Sequence, residues 1–170
     1  DTHLLCLKDK GEIAKLRADN LMATVATIND LTPVVDAVIH TGDMTHTHAP
    51  SEYALAREIM SALHAPLYVV PGNRDSRYHL RESFKNDRYM QGYAGEPVLY
   101  AVDHHPVRLI GYDSLSGTSK KGNVDQSRLE WLDSKLSKYP DKPTAILMHH
   151  PPIPVTTSKY PWQYECLNAG

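Results

Sequence analysis

Val69-Val70-Pro71-Gly72-Asn73-Arg74-Asp75 is the stretch that decides the fold. It begins inside a short apolar run, residues 67–70, which has a proline on each side. Such a run is typical of a strand buried on both faces. Gly72 allows a tight turn directly after it. We therefore predict a buried strand whose following loop presents Asn73, because polar residues on loops at strand ends are where a rigid sheet builds a site.

Three other short islands share this arrangement of metal-friendly side chains near a strand end. They are Asp1-Thr2-His3, Gly42-Asp43 and Met148-His149-His150-Pro151-Pro152. Residues 36–41 and 144–148 form short strand-like runs before the second and third of these islands. Asp1 and His3 are two residues apart, so in an extended chain they would point to the same side. We expect all four islands to converge.

The rest of the pattern predicts an α/β fold with mixed strand directions. Apolar spacing predicts helices over 18–31 and 51–63, with Ser51 as N-cap of the second. Another helix, to about residue 85, is capped by Asp75 or Ser76, and a fourth follows Asp125. Residues 98–103 and 107–113 predict a hairpin. The alternation indicates two sheets covered by helices.

Length and composition restrict the possible function classes. The chain has 170 residues, 41% of them apolar, and a net charge of −2, which fits one globular domain. There is no basic excess, so no nucleic-acid polymer is expected as a partner. No apolar run reaches membrane-spanning length, and we expect a cytoplasmic protein without a membrane partner. Cys6 and Cys166 form no Cys-x-x-Cys pair, so the sequence does not indicate a thiolate zinc site.

The side chains of the islands suit divalent metal ions. Carboxylate, amide oxygen and neutral imidazole bind Mn, Fe, Zn and similar ions, and five residues are candidate ligands: Asp1, His3, Asp43, Asn73 and His149. The two oxygens of Asp43 could bridge two ions. A pair of ions ~3.5–4 Å apart stabilises the attacking and the leaving oxygen of a phosphoester.

In this order, the four islands resemble the signature of the calcineurin-like metallophosphoesterases. The stretches 42–45, 108–114 and 128–132 look like the bacterial branch of class III cyclic-nucleotide phosphodiesterases and glycerophosphodiesterases. The resemblance covers nearly the whole chain. It implies a four-layer αββα arrangement, in which two sheets form a sandwich covered by helices.

The resemblance also implies roles for the candidate ligands. Asp1 and His3 would bind one ion, Asp43 would bridge, and Asn73 and His149 would bind the second. Two divalent ions, Mn, Fe or Zn, are thus the expected cofactors. The residues expected to act in catalysis are Asp43, Asn73, Arg74 and His149.

Arg74 departs from the pattern of the family. The usual motif is Gly-Asn-His-Asp, where the histidine is a candidate proton donor to the leaving group. An arginine stays charged and cannot act as a general acid, but it can bind phosphate. We therefore expect Arg74 to contact substrate. For residues 46–48, on the loop rim, we favour an ordinary solvated loop, and His46 is a second candidate substrate contact.

The ends of the chain also depart from the pattern. Residues 1–170 are expected to form a single domain that lacks the family's first strand and its C-terminal Gly-His-x-His segment, so that it is truncated at both ends. A natural fragment that binds metal poorly is the competing interpretation.

The leading functional hypothesis is hydrolysis of a small phosphodiester by a metal-bound hydroxide. Cyclic nucleotides rank slightly ahead of glycerophosphodiesters as substrates. Two alternatives stay open: a phosphomonoesterase of the same fold, and an inactive, metal-poor binding module. A homodimer is possible, since relatives often pair.

Overall fold

The chain alternates short strands with helices, as the sequence predicts. The computed structural model describes residues 1–117, 119–153 and 166, and for residues 7–10 only the backbone. Its helices are α1 (Leu7–Asn29), α2 (Pro50–Met60), α3 (Arg77–Phe84) and α4 (Gln126–Lys138), and its strands are β1 (Val38–His40), β2 (Leu67–Val69), β3 (Leu99–Val102), β4 (Arg108–Tyr112) and β5 (Thr144–Leu147). None of the helices described is long and apolar enough to cross a membrane.

The strands form two small sheets with mixed directions. In the first sheet β1 pairs in parallel with β2, with Ile39 opposite Tyr68. In the second, β3 and β4 form the predicted antiparallel hairpin, and β5 pairs in parallel with β4. This confirms the α/β class and the two sheets. Because β1, β2 and β5 end at the polar islands, the sheets set where those islands lie.

One hydrophobic core joins the two sheets and the first three helices. It includes Val69 of β2, Tyr100 of β3 and Leu147 of β5. The Tyr100 hydroxyl donates to the Val69 carbonyl (3.0 Å), which links the sheets directly. The last helix meets the second sheet differently, because the fully buried Arg108 donates to the Lys135 carbonyl.

The structure corrects several helix boundaries. The first helix begins at Leu7, eleven residues before the predicted start, and it ends at Asn29 rather than residue 31. Its early apolar residues Ile13 and Leu16 are exposed, so the first turns lack the one-sided pattern that predicts a helix. The predicted cap at Ser51 is wrong: α2 starts at Pro50, whose fixed φ and missing N–H suit a first turn.

The other two predicted caps are confirmed. The Ser76 hydroxyl accepts from the backbone N–H of His79 at the start of α3, and Asp125 accepts from that of Arg128 at the start of α4. The predicted apolar stripe of α4 is only partly buried, since Leu129 is 44% exposed. Arg128 is the residue that this helix buries.

Candidate active site

The first three residues are held against the Gly42-Asp43 loop by backbone hydrogen bonds. The N–H groups of Thr2 and His3 donate to the Asp43 carbonyl (3.1 and 2.9 Å), and that of Leu4 donates to the Met44 carbonyl (3.0 Å). His3 has a positive φ of 46°. The segment is therefore not extended at His3, so the condition under which Asp1 and His3 would point to the same side is not met. Pairing with the Asp43 loop positions them instead.

The Asp43 carboxylate lies between two histidines. Its Oδ2 is 3.4 Å from His3 Nε2, and its Oδ1 is 3.6 Å from His149 Nε2. Oδ1 also accepts from the backbone N–H of Arg74 (2.8 Å). Asp43 is buried and has a φ of 51°, an uncommon conformation that asparagine and aspartate tolerate best. One carboxylate thus presents a separate oxygen to each imidazole.

Two glycines let the Gly42 and Gly72 loops touch. A Cβ on Gly72 would lie 2.2 Å from the Asp43 backbone nitrogen and 2.3 Å from its Oδ1. A Cβ on Gly42 would lie 2.6 Å from the Gly72 nitrogen and 2.9 Å from His149 Nδ1. Neither position has space for a side chain. The glycine in each island is therefore needed for the close approach of Asp43, Asn73 and His149.

Asp75 links the Gly42 and Gly72 loops through hydrogen bonds, a role that the sequence did not predict. Its carboxylate accepts from the backbone N–H groups of Gly72 (2.9 Å), Met44 (3.1 Å) and Thr45 (3.2 Å). It also accepts from the Tyr53 hydroxyl (3.1 Å). Burial raises the pKa of Asp75, and these hydrogen bonds oppose the rise. The carboxylate is occupied by these contacts, and Asp75 does not line the cavity described below.

His149 has one ring nitrogen free to bind a cation. Its Nδ1 is 2.9 Å from the Thr41 carbonyl, which can only accept, so the proton of the neutral ring sits on Nδ1. Nε2 then turns a lone pair toward Asn73 Oδ1 (3.1 Å) and Asp43 Oδ1. In that tautomer three electron-rich atoms face one another, and a cation between them would stabilise the arrangement. Oxygen and nitrogen donors of Asp1, Asp43 and His149 all lie within 4.8 Å of one another.

His3 and His46 also present unpaired ring nitrogens to this region. Their rings meet edge to face at 5.6 Å, and within the described part of the chain the Nδ1 of each is buried without a hydrogen-bond partner. Burial lowers the pKa of both, and the charges of Arg17 and Arg74 lower it further, while Asp43 raises that of His3. Neutral imidazole is the form that binds metals. The donor set at this site therefore fits divalent ions.

These residues surround a cavity of about 910 Å³. All five predicted metal ligands line it, together with both predicted substrate contacts, Arg74 and His46. Sequence reasoning missed the remaining lining residues: Arg17, Thr41, Ser119, Lys120 and Lys121. Arg17 comes from α1, whose first turns were not predicted, and its guanidinium donates to the His3 carbonyl (2.6 Å).

Three further polar residues lie behind the cavity. His150 is fully buried, with Nδ1 2.8 Å from the Ser114 hydroxyl oxygen and Nε2 2.9 Å from the Lys120 carbonyl. Burial lowers the pKa of His40 to about 4. Asp113 is buried and pairs with Arg77 (2.7 Å). None of the three lines the cavity, so their contacts are structural.

Comparison with known proteins gives a consistent result. A family model described as calcineurin-like phosphoesterase matches residues 1–169. The chain is 34% identical to a probable glycerophosphodiester phosphodiesterase GpdQ of Arcobacter nitrofigilis, over 91% of this chain and 56% of that protein. It is 36% identical to the glycerophosphodiester phosphodiesterase GpdQ of Enterobacter lignolyticus, over 77% of this chain and 47% of that one.

A more distant match is the 3',5'-cyclic adenosine monophosphate phosphodiesterase CpdA of Escherichia coli K12. It is 25% identical over the full length of this chain and 59% of its own. The chain thus spans about half the length of the curated relatives it matches.

Proposed function

This chain belongs to the calcineurin-like phosphoesterase family, and from that premise we propose that its cavity hydrolyses small phosphodiesters with two bound divalent metal ions. Members of the family generally use divalent metals. The observation that carries the proposal is the convergence of donors from four separate segments. Donor atoms of Asp1, Asp43 and His149 lie within 4.8 Å of one another, and Asn73 Oδ1 lies 3.1 Å from His149 Nε2.

The proposed ligands divide into two groups around Asp43. His3 and Asp1 would hold the first ion, and Asn73 and His149 the second. The separate oxygens that Asp43 turns toward His3 and His149 support its role as the bridge. The Nδ1–H of His149 donates to the Thr41 carbonyl, and such an outer hydrogen bond fixes the ring of a metal-binding histidine. Mn, Fe and Zn all suit these donors.

When bound, the ions would supply Lewis-acid stabilisation of phosphoryl oxygens and lower the pKa of a water molecule. The protein itself binds and orients the substrate. Arg74 lines the cavity, and its guanidinium can hold two phosphate oxygens at once. It keeps its charge throughout the reaction, so it contributes binding and charge stabilisation and gives no proton to the leaving group.

We place glycerophosphodiesters ahead of cyclic nucleotides as substrates. The relatives at 34% and 36% identity are named for glycerophosphodiesters, and the one at 25% for cyclic adenosine monophosphate. This reverses the order suggested by the sequence motifs.

The proposal is tested by bound metal and turnover together. Protein loaded with Mn or Fe is expected to bind two ions and to cleave bis(p-nitrophenyl) phosphate faster than the monoester p-nitrophenyl phosphate. Asn73→Ala should lose one ion and reduce diester turnover by at least about a hundredfold, since even residues that only hydrogen-bond a metal ligand cost up to that much. Metal content is measured by mass spectrometry and turnover by nitrophenol release.

Asn86→Ala is the matched control, because Asn86 is exposed and does not line the cavity. It should change neither quantity. A wild type that binds no metal and turns over neither ester would contradict the enzyme proposal and favour a binding module. Faster cleavage of the monoester would favour a phosphomonoesterase.

A further inference from the structure

The loop before α4 brings two lysines to the wall of the cavity. Lys120 and Lys121 line it together with Ser119. The sequence alone suggests an ordinary solvated pair. The structure ties this loop to the strand end that carries His149, since the Lys120 carbonyl lies 2.9 Å from Nε2 of the buried His150.

The loop is held at several points. A Cβ on Gly122 would lie 2.7 Å from His150 Cβ, so the loop backbone packs directly on that ring. Gly122 also forms a bridge with Leu115, and the Lys121 N–H donates to the Ser119 hydroxyl (3.1 Å). These contacts fix the lysine backbone relative to His149. The loop therefore holds the backbone of both lysines beside the cavity that their side chains line.

The cavity carries more positive charge than a simple phosphodiester needs. Four cationic side chains, Arg17, Arg74, Lys120 and Lys121, line it against two carboxylates, Asp1 and Asp43. In the residues that the structure describes, no ion pair joins any of these four cations to a carboxylate. A phosphodiester carries a single negative charge, and bound divalent ions would add positive charge. Arg74 alone already matches the diester.

We propose that Lys120 and Lys121 form a second anion subsite, which selects phosphodiesters with an additional carboxylate or phosphate on one ester arm. The inference rests on the proposed function for its substrate class. The held backbone keeps both lysine side chains within reach of a ligand in the cavity, and a hydrogen bond to a charged group is stronger than one between neutral groups. The subsite would discriminate through that arm and leave the diester itself to Arg74.

Binding of two matched ligands tests the subsite without any turnover. Phosphinates have two P–C bonds and cannot be hydrolysed. Methyl(propyl)phosphinate carries one charge, and (2-carboxyethyl)methylphosphinate replaces its terminal methyl group by a carboxylate. Titration calorimetry on the metal-loaded protein should show about fivefold to tenfold tighter binding of the carboxylate ligand, the range between an exposed ion pair and a hydrogen bond to a charged group.

Lys121→Ala, and the double variant with Lys120→Ala, should abolish this preference and change binding of the monoanionic ligand less than about twofold. Lys121→Arg should retain it, because the charge is kept. Lys85→Ala, an exposed lysine outside the cavity, is the control. Equal affinity for the two ligands in the wild type, or equal weakening of both in the variants, would overturn the subsite.

The subsite and the proposed function can fail separately. Hydrolysis of propyl and 2-carboxyethyl p-nitrophenyl phosphates, which share a leaving group, should show the same preference as a lower KM for the carboxylate ester. A lysine-dependent binding preference without hydrolysis of either ester would refute the enzyme and uphold the subsite. Hydrolysis with no preference in KM or in binding would uphold the enzyme and refute the subsite.

Discussion

At the scale of single residues, Arg74 defines what the cavity can do. Its backbone N–H donates to the Asp43 carboxylate. Burial lowers the pKa of His3 and His46, and the charge of Arg74 adds to that lowering. The position that holds a candidate proton donor in the family pattern is thus a permanent cation here. In the proposed hydrolysis Arg74 would stabilise transition-state charge, and a departing alkoxide would take its proton from elsewhere, such as water.

Arg74→His therefore has opposite consequences for two substrate classes. A nitrophenolate leaves without protonation, so kcat/KM for bis(p-nitrophenyl) phosphate should fall, by about tenfold, as the phosphate contact is weakened. An alkyl leaving group gains a proton donor, and general acid catalysis contributes roughly a hundredfold or more. We expect the alkyl-to-aryl rate ratio to rise. The measurement is kcat/KM for both classes, with Arg88→His, which does not line the cavity, as control. An unchanged ratio would show that position 74 plays no part in leaving-group chemistry.

At the scale of elements, the sequence predicted the start of a helix correctly where a local signal, such as a capping residue, marks it. Ser76 and Asp125 are N-caps because their side chains bond the third backbone N–H of the helix that follows, a pattern visible in sequence. The start of α1 could not be predicted, because Ile13 and Leu16 face solvent and Gly11 interrupts the pattern. This error affected the predicted site, because Arg17, which lines the cavity, lies in the part of α1 that was not predicted.

The cap of α4 provides a test with a defined pH window. Asp125 accepts from the N–H of Arg128 (2.9 Å) and from its Nε (2.9 Å), and these bonds lower the pKa of Asp125 to about 2 from its ordinary value of 3.8. The folded carboxylate is thus favoured, and its contribution is present above pH 3.8 and is lost as the pH falls toward 2. Asp125→Ala should reduce the free energy of unfolding by about 1 kcal/mol at pH 6.

Urea unfolding of wild type and Asp125→Ala at pH 6 and at pH 2 measures the difference directly. It should shrink at the lower pH, where about half of the wild-type carboxylate is protonated. Asp125→Asn keeps the capping oxygen without the charge, so at pH 6 it should cost less than Asp125→Ala. The same difference at both pH values would mean that the ionised cap contributes nothing.

At the scale of the whole molecule, the sequence indicated that the four islands converge, but it could not indicate the contacts that bring them together. The order of the four islands predicted that Asp43, Asn73 and His149 meet, because loops at strand ends are where a rigid sheet builds a site. The structure brings them together from two sheets, since β1 and β2 belong to the first sheet and β5 to the second. It could not predict the positive φ of His3, or that Lys120 and Lys121 reach the same cavity. These depend on long-range packing, in which the buried His150 ties a distant loop to β5. A local pattern in the sequence cannot predict contacts between residues so far apart in the chain.

Metal binding should therefore stabilise the entire fold, because the proposed ligands come from segments as far apart as residues 1 and 149. A ligand at a hundred times its Kd stabilises by about 2.7 kcal/mol, which corresponds to roughly 5–10 °C in Tm for a chain of this size. Mn added to chelator-treated protein should raise Tm by this amount in scanning calorimetry. Asp43→Asn should remove the rise, since Asp43 faces both proposed ions. Asp87→Asn, which breaks the Arg57 ion pair outside the cavity, should keep it. An equal rise in both variants would mean that the ions bind elsewhere.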